Sequence, residues 1–265
     1  MNTTSFLPHC IIVGGTSGIG LALANHHLKE GWSVTVIGSN PKKISALAHH
    51  KPDTLHLECC DITDTQALDA LLGRLAQRPF LRLIYCAGWY LNERKHRLNT
   101  TDSTKMLAIN LQAFHTIFAW ASHHLKAQST TPYVPHLIAI ASVAGLLNYQ
   151  DASLYAKCKS AMIANCQAYA LALTPFGIAV TCIACGYVDT EQLRALNRGN
   201  ANHKPFVVSE QTAVLEICNA ITQQKQLHIF PKPMKYLTTI LSLLPKPLLN
   251  TLMTWQYRHQ DAHRP

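Results

Sequence analysis

Short runs of β-branched and aliphatic residues alternate with stretches of helical periodicity, and this alternation limits the possible folds more than any other feature. The runs are His9–Gly14, Ser33–Ile37, Leu55–Cys59, Phe80–Cys86, Val134–Ala141, Gly177–Ala184 and Leu227–Phe230. Between them lie helical stretches near Ile19–Lys29, Pro41–Ala48, Asp64–Gln77, Ser103–Lys126, Ala152–Leu173 and Ser209–Gln223. Pro41 suits a first helical turn, where its missing N–H is not needed, and Asp64 suits an N-cap. Strands joined through helices run parallel, with helices covering both faces of the sheet. Right-handed crossovers then give an α/β, doubly wound, Rossmann-like parallel sheet of about seven strands. A chain of 265 residues is long enough for one such domain with a substantial core.

The alternation ends at Phe230. Residues 1–230 are expected to form the α/β domain and residues 231–265 a C-terminal helical extension. In the extension, Tyr236, Leu237, Ile240, Leu241 and Leu244 share one helical face. Pro245 and Pro247 interrupt, and Leu248, Leu249, Leu252 and Met253 form a second apolar face. An apolar stripe at helical spacing usually packs against protein, here the parent domain or a second subunit. The alternative is a peripheral position in a membrane interface, with Lys232, Lys235 and Lys246 toward headgroups. No segment offers the ~20 apolar residues that a spanning helix needs.

The first strand runs into Gly14-Gly15-Thr16-Ser17-Gly18-Ile19-Gly20 and then a helix. Such a turn aims backbone N–H groups and a helix N-terminus at a pyrophosphate, and glycine lets the phosphates approach. After the second strand comes Gly38-Ser39-Asn40, with Lys42 and Lys43 beyond and no acid. An acid there would bind the ribose hydroxyls of NAD and repel a 2′-phosphate. Ser39 and Asn40 can donate to a phosphate instead, so NADP is the expected cofactor and NAD the alternative.

Tyr155 and Lys159 stand four apart in Tyr155-Ala156-Lys157-Cys158-Lys159, one turn apart on one helical face. A free phenol has a pKa of ~10, and a nearby ammonium is expected to lower it, so that Tyr155 can exchange a proton with a substrate oxygen. Ser142 lies thirteen residues earlier, at the end of the fifth strand. In an open α/β sheet ligands bind beyond the carboxyl ends of the strands, and a hydroxyl there can stabilise charge developing on an oxygen.

The GxxxGxG spacing of Gly14, Gly18 and Gly20, the strand-end Ser142, and Tyr155-x-x-x-Lys159 occur in the order typical of the short-chain dehydrogenase/reductase family. The chain resembles that family over about residues 8–230. The resemblance implies an NAD(P)-dependent oxidoreductase acting between alcohol and ketone. It implies Tyr155, Lys159, Ser142 and Asn110 as catalytic residues, with Asn110 in a kinked helix linked to Lys159 through water. Tyr155 and Lys159 would also contact the cofactor, Lys159 at its ribose. Asp61, followed by Ile62, would meet the adenine. Ala87 and Gly88 would allow close backbone approach. Gly186, the backbone of Val188 and the hydroxyl of Thr190 would lie at the nicotinamide carboxamide. Four positions depart from the family pattern: Val13 replaces Thr, Tyr85-Cys86 replaces Asn-Asn, and Cys185 replaces Pro.

Trp89, Tyr90, Leu146, Leu147, Tyr149 and Tyr187 flank the expected pocket and favour an apolar substrate. Residues Glu191–Pro205 are read as its lid. The family resemblance implies a homodimer or homotetramer. The formal net charge of +9 admits an anionic partner. The basic residues are scattered, however, and the densest run, Arg94-Lys95-His96-Arg97, reads as a solvated loop. No basic and aromatic interleaving points to nucleic acid. A non-catalytic nucleotide sensor with this fold is the rival reading.

Nine cysteines without regular spacing argue against a disulfide scaffold and for a reducing, cytoplasmic setting. Cys182 and Cys185 form a CxxC. Within a strand the two thiols face opposite sides, so no metal site is expected. The first ten residues, MNTTSFLPHC, lack the charged start and apolar stretch of a signal peptide.

Overall fold

The computed structural model describes residues 7–49, 51–93, 98–127 and 133–261. The basic run Arg94–Arg97 lies outside them. The seven strands are β1 (His9–Val13), β2 (Ser33–Gly38), β3 (Leu55–Cys59), β4 (Arg82–Tyr85), β5 (His136–Ser142), β6 (Ala179–Cys185) and β7 (Leu227–Phe230). They form one parallel sheet in the order β3-β2-β1-β4-β5-β6-β7. The helices are α1 (Gly18–Lys29), α2 (Pro41–Ala48), α3 (Thr65–Leu75), α4 (Thr100–Leu107), α5 (Ala113–Ala127), α6 (Leu154–Leu173), α7 (Glu191–Leu196), α8 (Glu210–Thr222), α9 (Lys232–Ser242) and α10 (Lys246–Asp261). This is the doubly wound α/β fold that the alternation implies.

Alternating side chains of a strand enter opposite faces, and β1 shows why its run is apolar throughout. Ile11 and Val13 join one buried cluster with Leu71, Phe114 and Met162. Cys10 and Ile12 join another with Leu23 and Ile217. The sheet is thus covered by helices on both faces, as parallel sheets require. The chain winds β1, β2, β3 in one direction and then returns to place β4 on the other side of β1. The reversal leaves a crevice at the carboxyl ends of β1 and β4, where ligands bind in such sheets.

Asn40 and Asp64 cap α2 and α3: Asn40 Oδ1 accepts from the N–H of Lys42 and Lys43, and Asp64 Oδ1 accepts from that of Ala67. The helix expected over Ser103–Lys126 is broken. Asn99 caps an earlier start at Thr100, and a π-helical segment, Ala108–Gln112, separates α4 from α5. Within the expected lid only Glu191–Leu196 is a helix.

The opposite, amino-terminal end of the sheet carries buried histidines that the strand pattern does not announce. His9 Nε2 and Thr35 Oγ1 hydrogen-bond at 2.8 Å, and His136 Nε2 and Thr181 Oγ1 do the same at 2.8 Å. His27 Nδ1 donates to Leu23 O, and Nε2 accepts from Arg82.

The extension returns to the domain. Met234 and Thr238 of α9 are buried. Leu249 of α10 packs with Leu147, Tyr149, Ala152 and Ala156, and Leu241, Leu244 and Met253 lie against that cluster. Asn250 holds Asp151 through two hydrogen bonds of 3.0 Å. Leu147 and Tyr149 thus pack against the extension and also line a groove beside α6. No helix among the described residues is long and apolar enough to cross a membrane.

Candidate active site

The glycine turn meets the sheet so closely that side chains are excluded. Gly14 has φ +80°, and a Cβ there would lie 2.7 Å from the backbone nitrogen of Ala87. Gly14 thus needs both a left-handed backbone and the contact with Ala87. Thr16 packs its side chain over Gly38 at the end of β2, and Thr190 approaches Gly18 from the loop after β6. The turn, Ala87 and Thr190 converge on the crevice although they come from three separate segments.

Ser142 ends β5, and its hydroxyl accepts from Ala144 N at 3.2 Å. It also lies beside the Tyr155 phenol, where it favours the ionised form. The contact depends on Gly145 in the 3₁₀ turn Val143–Leu146. A Cβ on Gly145 would lie 2.5 Å from the Lys159 carbonyl carbon and 2.6 Å from Ser160 N. This close seam presses the end of β5 against α6 and brings Ser142 to Tyr155. Gly145→Ala is expected to lower stability by about 1–3 kcal/mol, the usual effect of overpacking, and to cut turnover more than tenfold. Thermal melting and a turnover assay check it; wild-type values in both would show that the seam can relax.

Lys159 is buried, and its Nζ donates to Ile140 O at 3.2 Å. The ammonium lies 5.7 Å from the Tyr155 ring centre. Burial lowers the Lys159 pKa, opposed by the thiols of Cys185, Cys182, Cys158 and Cys86. Burial also pushes the Tyr155 phenol well above its usual value, with Cys185 adding to the rise and Ser142 opposing it. The expected lowering of Tyr155 by Lys159 is thus not met in the chain alone. Desolvation of the phenolate dominates, and the ammonium is turned toward Ile140.

Asn110 is fully buried inside the π-helical segment, which is the expected kink. Its Nδ2 donates to Trp89 O at 2.8 Å and Met106 O at 3.0 Å, while Oδ1 has no hydrogen-bond partner among the described residues. Asn110 Oδ1 and Lys159 Nζ both face Gly88, 3.4 Å and 3.5 Å from where its Cβ would be. All four expected catalytic residues therefore gather at the carboxyl end of β5, beside the Ala87-Gly88 segment.

The family profile described as short chain dehydrogenase matches residues 8–201. This chain belongs to the short-chain dehydrogenase family. A 3-oxoacyl-[acyl-carrier-protein] reductase of Rickettsia bellii is 27% identical over 188 residues, covering 71% of this chain and 75% of the relative. An uncharacterized oxidoreductase of Staphylococcus aureus is 26% identical over 224 residues, covering 83% of this short-chain dehydrogenase and 93% of the relative. Among solved structures, a short-chain dehydrogenase from Sphingobium yanoikuyae in complex with NADPH aligns with a TM-score of 0.75 at 20% identity, covering 97% of each chain. A bulky-bulky ketone specific alcohol dehydrogenase from Comamonas testosteroni aligns at 0.72 with 19% identity, covering 97% of this chain and 95% of its own.

Several cofactor-side residues already have intramolecular work in this short-chain dehydrogenase. Asp61 Oδ1 accepts from the N–H and hydroxyl of Thr63. The Thr190 hydroxyl accepts from Leu193 N as the cap of α7. Val188 forms a parallel bridge with Val208. Cys185 donates its thiol to Ala141 O at 3.2 Å and ties the ends of β5 and β6 together. Neither CxxC thiol belongs to a metal-binding group among the described residues.

One organising residue has no sequence motif. Glu93 accepts from the N–H of Leu154 and Tyr155 at 3.0 and 3.1 Å. Its carboxylate caps the helix that carries Tyr155 and Lys159, favourably placed at the positive end of the helix dipole. The only signal was the lack of an acid in the first turn of α6.

Proposed function

We propose that this protein is an NADP(H)-dependent oxidoreductase that interconverts a secondary alcohol and a ketone on an apolar substrate. The observation that carries this reading is the convergence of Ser142, Tyr155, Lys159 and Asn110 at one strand end. A non-catalytic sensor would need the glycine turn but not this second constellation.

The residues suit a dinucleotide. The Gly14–Gly20 turn leaves room that a Cβ would fill, and the orphaned Asn110 Oδ1 fits the family's water-linked Lys159. Thr16, Ser17, Gly18, Ile19 and Gly20 would hold the pyrophosphate. Asp61, Ile62, Ala87 and Gly88 would line the adenosine half, and Gly186, Val188 and Thr190 the carboxamide. When bound, the nicotinamide supplies or accepts the hydride. Ser142 donates to the substrate oxygen and stabilises its developing charge. Tyr155 gives that oxygen a proton in reduction and takes it back in oxidation. Lys159 binds the ribose and offsets negative charge on the phenolate. Tyr90, whose ring meets that of Tyr155 edge-on at 5.0 Å, forms part of the apolar wall with Trp89 and Tyr187.

Ser39 and Asn40 follow β2 beside exposed Lys42 and Lys43. NADPH should therefore support faster turnover than NADH at equal concentration. Lys42→Glu/Lys43→Glu should narrow that preference by about tenfold, since opposite charge near a phosphate replaces attraction with repulsion. A panel of ketones, acyl thioesters and alcohols followed by NADPH absorbance tests the reading. NADH working tenfold better would overturn the cofactor assignment, and no turnover across the panel would favour the sensor. Self-association through α6 fits the same reading, because Ala156, Ser160, Ala161 and Ala164 line a groove on its outer side.

A further inference from the structure

The outward faces of α9 and α10 are apolar and stand exposed among the described residues. On α9, Tyr236, Ile240 and Leu243 are exposed at the i, i+4, i+7 spacing of one helical face, Leu243 to 79%. On α10, Leu248, Leu252 and Trp255 repeat that spacing and are also exposed. The opposite sides of both helices hold Met234, Leu241, Leu249 and Met253, which already seat the extension on the domain. Folding therefore does not require the outer residues to be apolar. Single exposed apolar residues are ordinary, but such a ridge on each of two successive helices marks a contact surface.

The charge of this region selects the partner. From Ile217 to Gln260 the chain has no Asp or Glu, while Lys225, Lys232, Lys235, Lys246 and Arg258 all fall within it. Lys232, Lys235 and Lys246 are exposed at the starts of α9 and α10, beside the apolar ridges. A second copy mated face to face would set these lysines against their own counterparts, with no acid from the stretch to pair them. An anionic lipid surface supplies both missing halves, an acyl boundary for the ridges and negative headgroups for the lysines. Trp255, in the α10 ridge, is a residue type favoured at the lipid–water interface.

We propose that α9 and α10 together form a peripheral docking face for an anionic bilayer. The interaction is interfacial, since no described helix can span. It extends the enzymatic reading without depending on it, because lipid binding and turnover are measured separately.

The full-length protein should co-sediment with vesicles of phosphatidylcholine and phosphatidylglycerol mixed seven to three, and far less with pure phosphatidylcholine. Lys232→Gln/Lys235→Gln/Lys246→Gln should weaken the partition by about fivefold for each lysine removed. Raising salt from 0.1 to 1 M, which shortens screening from ~10 to ~3 Å, should release the protein. Tryptophan emission should shift to the blue on binding, and Trp255→Phe should lose most of that shift. Ile240→Asp/Leu243→Asp should abolish sedimentation with an unchanged melting temperature, since both side chains are exposed. No sedimentation with anionic vesicles would overturn the proposal, as would equal binding of the triple lysine variant. If the double Asp variant instead turned a dimer into a monomer, with no lipid binding in the parent, the face would be a subunit interface.

Discussion

Replacing Tyr155 with Phe is expected to lower turnover about 10³-fold while NADPH binding stays within about twofold. The change removes one oxygen and leaves the ring, which packs edge-on with Tyr90. General acid–base groups typically contribute 10²–10⁴-fold, and the phenol stands beside Ser142 at the end of β5. The elements proposed to hold the cofactor, the glycine turn and the loop after β6, do not include the phenolic oxygen. A loss of binding equal to the loss of turnover would mean that Tyr155 acts in holding the nucleotide. Retained turnover would remove the proposed acid–base group altogether. Ser142→Ala should follow in the same direction, and the double variant should add little, because groups acting as one unit are not additive.

The second large effect is acid instability that arises far from the site. Burial holds His9 and His27 near pKa 4 and His136 near 3, against an ordinary value of 6.5, and the Arg82 guanidinium reinforces this at His27 and His136. Arg78 and His56 act in the same sense on His9. The unfolded chain binds protons at these positions below pH 6.5, whereas the folded chain refuses them until near pH 4. Stability is therefore full above 6.5 and lost as pH falls through that window. Each histidine withdraws about 2 kcal/mol by pH 5, and together they rival the 5–15 kcal/mol that stabilises a typical domain. Thermal melting followed from pH 7.5 to 4.5 should show a steep fall below pH 6.5, and His136→Gln should flatten it. A melting temperature level down to pH 5 would show that these rings protonate in the folded state.

The sequence made the fold legible because each strand of a doubly covered parallel sheet must be apolar on both faces. Runs such as Cys10–Val13 and Leu137–Ala141 announce themselves for that reason. The ends of elements were less legible where side-chain caps decide them. Asn99 starts α4 three residues before the periodic pattern suggests. At the site, glycines and the Tyr155–Lys159 spacing were readable since local geometry dictates them. Glu93 and Gly145 were not, because each acts on α6 from a different segment and neither forms a local pattern. The state of Tyr155 was misread for a related reason. Spacing places the lysine one turn away, but only packing shows that its ammonium is drawn toward Ile140.

The widened turn at Ala108–Gln112 has a consequence for how this chain tolerates change. A π segment holds one residue more than an unbroken α-helix across the same span. Shortening the chain there by a single residue would let the helix heal into a regular one and rotate Asn110 out of its place opposite Lys159. Almost any substitution on the outer side of that helix leaves the register intact. Between Met106 and Phe114 the constraint is thus one of residue number more than of residue kind, and a deletion that shortens a loop harmlessly elsewhere would be fatal to function here.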